Sequence, residues 1–507
     1  MFTRRTLFLL AILAPAVHPQ VQPPRPKLVL AIAIDQFRYD YLTRFRADYT
    51  GGLKTLLTQG AVFTNARYTH VPTVTAIGHS TFLSGATPAM SGVIGNEWID
   101  RNSGKTVTSV TDASVQLLGG SENPTGSSPR RMLVSTLGDE LKMADPRTKV
   151  VGISLKDRSA ILPAGHMADG AFWFDNNSGA FVSSTYYFPD LPTWVKEFNG
   201  AHPADRYAGK QWNAKTFEAP GPKLYASLPA SPWGNELIEA FAERAVQSMH
   251  FGRGSQTDLL AISFSSNDYV GHANGPDDPS VHDMADRTDK LIAKLFAFLE
   301  GYVGMRNVLV VLTADHGVSP VPEVNEKRHM PGGRLTTQPG DAVQQALAGR
   351  YGAAKWVLAS LDFGIFLDWK LIDGKKLNRR EVREVAVNAV IDLPHIFRAY
   401  TYDAIAHGEV PNDLVGQLIT NGFYPPRSAD VFYIPEPYWL SGKTGTSHGT
   451  PFGYDTHVPV IFMGPGIRSG TYNQAIRPND IAPTLATLLS VETPSGSVGR
   501  PLSEILK

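Results

Sequence analysis

The stretch LVLAIAID, from Leu28 to Asp35, is seven apolar residues closed by a carboxylate. Its length and β-branched content fit a strand buried on both faces. Four other runs read the same way: KVVGIS (149–154), LLAISF (259–264), NVLVVLT (307–313) and VPVIFMG (458–464). Helical patterns lie between them. PRRMLVSTLGDELKM starts at Pro129, and HDMADRTDKLIAKLFAFLEG is expected to end at Gly301. Buried strands alternating with helices predict an α/β fold, with a mostly parallel central sheet covered by helices on both faces. Two segments, about 163–232 and 321–440, read as insertions that cap a site; the second carries its own helix at NRREVREVAVNAVID.

The residues just past the apolar runs carry chemistry. LVLAIAI ends at Asp35. KVVGIS leads into Lys156, Asp157 and Arg158. LLAISF leads to Asp268, with His272 four residues on, and NVLVVLT leads to Asp315, His316 and Gly317. Ligands of open α/β sheets sit outside the carboxyl ends of the strands. Taken singly, each of these residues reads as a turn or cap residue or as a helical i,i+4 pair. One metal site explains them together. Zinc accepts imidazole nitrogen and carboxylate oxygen, and a chain with no cysteine must use those donors. His448, in the loop GKTGTSHGTPFGYDTH, completes a set of six; His457 directly precedes a strand and reads as a packed histidine.

Thr75 opens a helical pattern in THVPTVTAIGHSTFLSG (69–85), with Gly78 and His79 one turn on. A threonine there is usually a helix cap. The free amides and dipole of the same helix start also attract an anion, which would suit a nucleophile.

Composition limits the partners. Lys plus Arg equals Asp plus Glu at 47 each, so no global charge favours nucleic acid or an anionic membrane. MFTRRTLFLLAILAPAV places arginines before a short apolar run and a small-x-small pattern. It reads as an export signal over residues 1–16, with a Pro-rich exit over 17–26, rather than a membrane span. The expected protein is periplasmic or secreted, a monomer without stable membrane insertion, with one catalytic domain over 27–507.

With these residues and Asn96 in view, the chain resembles the alkaline phosphatase superfamily. The matching branch has a threonine nucleophile: PafA-type phosphate-irrepressible alkaline phosphatases and the related nucleotide pyrophosphatase/phosphodiesterases. The resemblance rests on the span from Asp35 to Asn96, then SLKDRSAI, SNDYVGHANGP, TADHGVSPVP, SHGTPFGYDTHVPVIF and RPNDIAPTLATLL. It implies two Zn2+ per chain. One is held by Asp268, His272 and His448; the other by Asp35, Asp315 and His316 and met by the Thr75 hydroxyl. It further implies a covalent phosphothreonine at Thr75, with Asn96 donating to a phosphoryl oxygen. Zinc lowers the pKa of bound water from 15.7 to about 7, and an alkoxide benefits in the same way. Lys156 and Arg158 resemble the pair that contacts the phosphoryl oxygens of phosphate monoesters, and Arg offers a planar fork for two of them. The expected activity is therefore small-molecule phosphomonoesterase, with diesterase or nucleotide pyrophosphatase as the alternative. A non-catalytic exported metal-binding module and a phosphoryl-transferring mutase are more distant alternatives. SSPRR (127–131) formally fits a sulfatase nucleophile pattern but reads as an ordinary helix start. Trp98, Trp173, Phe174, Tyr186 and Tyr187 read as packing rather than as a wall for a leaving group.

Overall fold

The computed structural model describes residues 25–120 and 125–507, so the expected export signal lies outside the described residues. An eleven-stranded sheet runs through the molecule. Its centre is five parallel strands in the spatial order Gly170–Phe174, Val150–Ser154, Asp258–Phe264, Leu28–Ile34 and Val308–Thr313. VPVIFMG supplies the next strand, Val460–Met463, which runs antiparallel to Val308–Thr313. The sheet is parallel where the site lies and mixed towards both edges.

LVLAIAI divides its side chains between the two faces, as strand pleating requires. Leu28, Leu30, Ile32 and Ile34 point into one apolar layer with Phe241 and Leu295. Val29, Ala31 and Ala33 point into the other with Phe82 and Leu485. Each fully buried Leu or Ile contributes about 1.5–3 kcal/mol to this packing. The small side of the strand matters for the site. Two alanines leave room for the helix Thr75–Ser84, every residue of which is buried, to lie close against the sheet.

Parallel register aligns the strand ends. Ile34 stands opposite Phe264, and Ala33 opposite Thr313. The residues after these positions therefore emerge at one edge.

The two candidate insertions differ in kind. Within 163–232, the strands Gly170–Phe174 and Phe181–Ser184 pair with each other and join the main sheet. The 321–440 segment builds its own four-stranded sheet from Val357–Leu361, Gly364–Leu367, Val431–Pro435 and Ile396–Thr401. It also has its own apolar cluster around Leu347, Trp356, Ile365, Val382 and Tyr433. The expected helix at NRREVREVAVNAVID forms over Arg379–Ile391, capped by Asn378.

Two helix boundaries correct the sequence reading. The helix expected from Pro129 begins at Leu137, where Thr136 and Asp139 form a reciprocal capping box. Upstream, the Arg130 and Arg131 side chains are drawn to Asp112 and to the Thr111 carbonyl. The long helix spans Pro279–Tyr302, so Gly301 lies inside it and the left-handed position falls at Gly304.

Candidate active site

Thr75 is the first residue of its helix, not its cap. Val74 occupies the cap position, and its own side chain caps none of the amides there. The Thr75 hydroxyl instead lies 3.4 Å from His316 Nε2. Ala76 N–H, a first-turn amide with no partner inside the helix, donates to Asn96 Oδ1 at 2.9 Å. Since an N–H requires an oxygen acceptor, this bond fixes the Asn96 amide and leaves its Nδ2 hydrogens available as donors.

The helix reaches this place because residue 78 has no side chain. A Cβ there would sit 2.2 Å from Asp315 O and 2.6 Å from Asp315 Cα. We expect Gly78→Ala to push the Thr75–Ser84 helix off the Asp315 segment, costing about 1–3 kcal/mol in overpacking. A lower denaturant midpoint and reduced turnover should appear together. An unchanged midpoint would contradict the close approach.

Three histidines present the same face. His448 Nδ1 donates to Thr73 O at 2.8 Å, His316 Nδ1 to Gly317 O at 2.9 Å, and His272 Nδ1 to Thr446 O at 2.9 Å. Each ring therefore turns its Nε2 towards the carboxylates, the orientation that imidazole ligands held by backbone carbonyls adopt. His272 Nε2 lies 3.2 Å from Asp268 Oδ1, and His448 Nε2 lies 3.8 Å from it. His316 Nε2 lies 3.2 Å from Asp315 Oδ2, with its ring stacked on His448 at 3.5 Å.

Among the described residues, two groups have donor atoms within 4.8 Å of one another and could each hold a metal ion, Asp268–His316–His448 and Asp35–His79–Asp315. This differs from the division implied by the resemblance. His316 stands between the two groups, facing Asp315 and stacked on His448. His272 touches the first group from its outer, more exposed side. Asp315 Oδ2 is buried with no hydrogen-bond partner among the described residues. A buried carboxylate oxygen without a donor is costly, and a divalent cation would satisfy it. The imidazole and carboxylate donors fit zinc.

Lys156 lies between Asp35 Oδ2, at 3.0 Å, and Asp268 Oδ2, at 2.7 Å, while Arg158 holds a buried Nε with no partner among the described residues. Burial alone would raise the acids. The Lys156 ammonium together with the neighbouring imidazoles, His79 at Asp35 and His272 and His316 at Asp268, outweighs burial and holds both acids below the usual carboxylate range. Burial alone would lower His316, but Asp315 and then Asp268 bring it up to about 9. His448 is pushed well down by burial and by its imidazole neighbours His316 and His272.

Sequence reasoning passed over several participants. His79, one turn after Thr75, donates from Nδ1 to Thr75 O at 2.9 Å and lies 3.4 Å from Asp35 Oδ1 and 3.5 Å from Asp315 Oδ2. Its i,i+4 spacing from Thr75 was the available signal. Gln36, held in a left-handed conformation, donates from Nε2 to Asp268 Oδ1 at 2.7 Å. Ser263 Oγ donates to Asp35 Oδ1 at 2.5 Å.

Other readings are resolved locally. His457 packs on Tyr39 at 4.4 Å and reaches Thr64 O at 3.0 Å. Ser127 Oγ donates to Asp157 Oδ2 at 3.1 Å, in a strand rather than at a helix start. Trp98, Trp173 and Phe174 are buried in the fold; Tyr186 is tied to the His166 carbonyl and packs edge-on to Tyr187. No helix among the described residues is long and apolar enough to cross a membrane.

Comparison with known proteins gives a consistent result. Residues 29–455 match the family model described as type I phosphodiesterase / nucleotide pyrophosphatase. Alkaline phosphatase PhoV of Synechococcus elongatus is 36% identical, over 97% of this chain and 95% of that protein. Alkaline phosphatase PafA of Elizabethkingia meningoseptica is also 36% identical, over 95% of each. A PafA crystal structure superposes with a TM-score of 0.88 at 34% identity, covering 96% of this chain and 99% of that one. Murine ectonucleotide pyrophosphatase/phosphodiesterase 5 shares the fold, with a TM-score of 0.57 at 14% identity over 94% of this chain and all of that one.

Proposed function

This chain belongs to the type I phosphodiesterase / nucleotide pyrophosphatase family, and from that premise we propose that it is an exported, two-zinc alkaline phosphatase acting on small-molecule phosphate monoesters through a phosphothreonine at Thr75. Full-length likeness to PhoV and PafA supports phosphatase chemistry. The observation that carries the reading is the convergence of three carboxylates and three outward-facing Nε2 atoms on one hydroxyl at a helix start.

When bound, zinc would supply Lewis acidity to lower the pKa of the attacking hydroxyl and to stabilise the leaving oxygen. Asp268, His272 and His448 would hold one ion, and Asp35, Asp315 and His316 the other. His79 fixes the Thr75 carbonyl and so the direction of its hydroxyl. The free amides of the first turn and the Asn96 Nδ2 hydrogens would receive phosphoryl oxygens. Lys156 and Arg158 would add positive charge for a dianionic monoester. A PafA variant solved crystallographically has a threonine, an asparagine, a lysine and an arginine substituted. Its threonine and asparagine are spaced as Thr75 and Asn96, and its lysine and arginine as Lys156 and Arg158.

We read 27–507 as one catalytic domain carrying the 163–232 and 321–440 segments, and the chain as a monomer. The test is kcat/KM on an aryl phosphate monoester, a diester and a sulfate with Zn2+ supplied. The monoester should be preferred. A preference for diester would favour the diesterase reading of the same site, and sulfate a sulfatase.

Arg158→Ala should lower monoester kcat/KM by roughly 10²–10³-fold, the scale for losing one charge-stabilising donor, and diester turnover far less. Equal losses would show that Arg158 does not read the extra charge of the monoester.

A further inference from the structure

We infer that Asp362, at the tip of a hairpin in the 321–440 segment, is a positioning residue for phosphoryl transfer that sets Asn96 over the Thr75 helix start. This rests on the phosphatase reading of the site. Leu361 pairs with Gly364, leaving Asp362 and Phe363 as a two-residue turn. Both have positive φ, 46° and 66°. Such turns usually carry Asn-Gly or Asp-Gly, and a phenylalanine in the left-handed region is strained. Strain of this kind persists where surrounding contacts fix it, often at functional sites.

Those contacts lead to the site. Asp362 Oδ2 accepts the Asn96 backbone N–H at 3.1 Å. Asn96 Oδ1 in turn accepts Ala76 N–H, beside the nucleophile. The carboxylate can come this close because residue 95 is glycine: a Cβ there would lie 2.7 Å from Asp362 Oδ2. The Phe363 ring lies against Gly449, where a Cβ would be 2.7 Å from Cε2, next to His448. One side of Asp362 adjoins an apolar cavity lined by Ile94, Phe366, Phe423 and Phe432. Burial pushes its carboxyl up to about 6, with Glu97 adding to the rise and the Asn96 amide and Arg158 guanidinium opposing it. Asp362 therefore has Asn96 in its grip and Arg158 in electrostatic range, the two donors that would meet the phosphoryl group outside the metal cluster. Through this turn the 321–440 segment reaches the candidate site.

The test is a double-mutant cycle on the zinc-loaded full chain, read as monoester kcat and KM. Asp362→Ala should lower kcat about 10–100-fold with little change in KM. Asp362→Asn, which keeps an acceptor oxygen, should recover most of it. In an Asn96→Ala background, Asp362→Ala should have almost no further effect. Losses that multiply across the two sites would overturn the inference, because Asp362 would then act independently of Asn96. So would an Asp362→Ala loss matched by Asp362→Asn together with an equal fall in melting temperature. If Asn96→Ala itself leaves turnover intact, the failure lies with the reading of Asn96 as a phosphoryl donor, and the positioning role falls with it.

Discussion

Replacing Thr75 by alanine is expected to reduce phosphate monoester turnover by about four or more powers of ten, the scale on which enzymes lose their nucleophile. The fold should barely notice. Thr75 donates no cap to its own helix, and its hydroxyl is directed at His316. Removing it deletes one small polar group and no packing anchor, a change of about 1 kcal/mol or less. The two readouts separate the alternatives. A helix cap would lose stability and keep turnover. A non-catalytic metal-binding module would show no turnover to lose. Wild-type protein incubated with an aryl phosphate and quenched in acid should carry phosphate on Thr75, and the alanine variant none. Turnover within tenfold of wild type would end the nucleophile assignment.

Removing metal is expected to abolish turnover, with Zn2+ restoring it. Asp35, Asp268 and Asp315 lie buried together, and Lys156 is the fixed cation bridging two of them. Three neighbouring Nε2 atoms add imidazole nitrogens that a metal could bind. Two divalent ions would more than offset the negative charge of this cluster, leaving positive charge for a phosphate dianion, and would satisfy the orphan oxygen of Asp315. Binding only to the folded state adds about 4 kcal/mol of stability when free metal is a thousandfold above its Kd. The melting temperature should therefore fall on chelation and return with Zn2+, in step with activity and with metal content near two ions per chain. Restoration by Ca2+ or Mg2+ alone would overturn the zinc assignment. Activity that survives exhaustive chelation would remove metal from the chemistry.

Local pattern was enough for much of this molecule. LVLAIAI, KVVGIS, LLAISF and NVLVVLT announced parallel buried strands because strands covered on both faces must be apolar throughout. Parallel strands in one sheet then deliver their trailing residues to a common edge, which is why Asp35, Lys156, Asp268, Asp315 and His316 were legible as one site. Thr75 needed the family resemblance as well, since a threonine at a helix start reads first as a cap, whereas His448 came from the want of a sixth donor in a chain without cysteine. Periodicity could not give the antiparallel direction of Val460–Met463, because a buried run looks alike in either direction. The start of the Leu137–Ala144 helix was missed because the Thr136–Asp139 capping box competed with an earlier Ser-Pro signal.

Only tertiary structure decided how neighbours at that edge divide the work. His79, Gln36 and Ser263 hold metal-candidate carboxylates through contacts between residues up to more than two hundred positions apart. Asp362 reaches Asn96 across 266 positions. A sequence fixes which side chain leaves a strand or opens a helix, because those are local periodicities. Hydrogen bonds made by single atoms of distant segments have no period, and they exist only once the sheet and the 321–440 segment have packed.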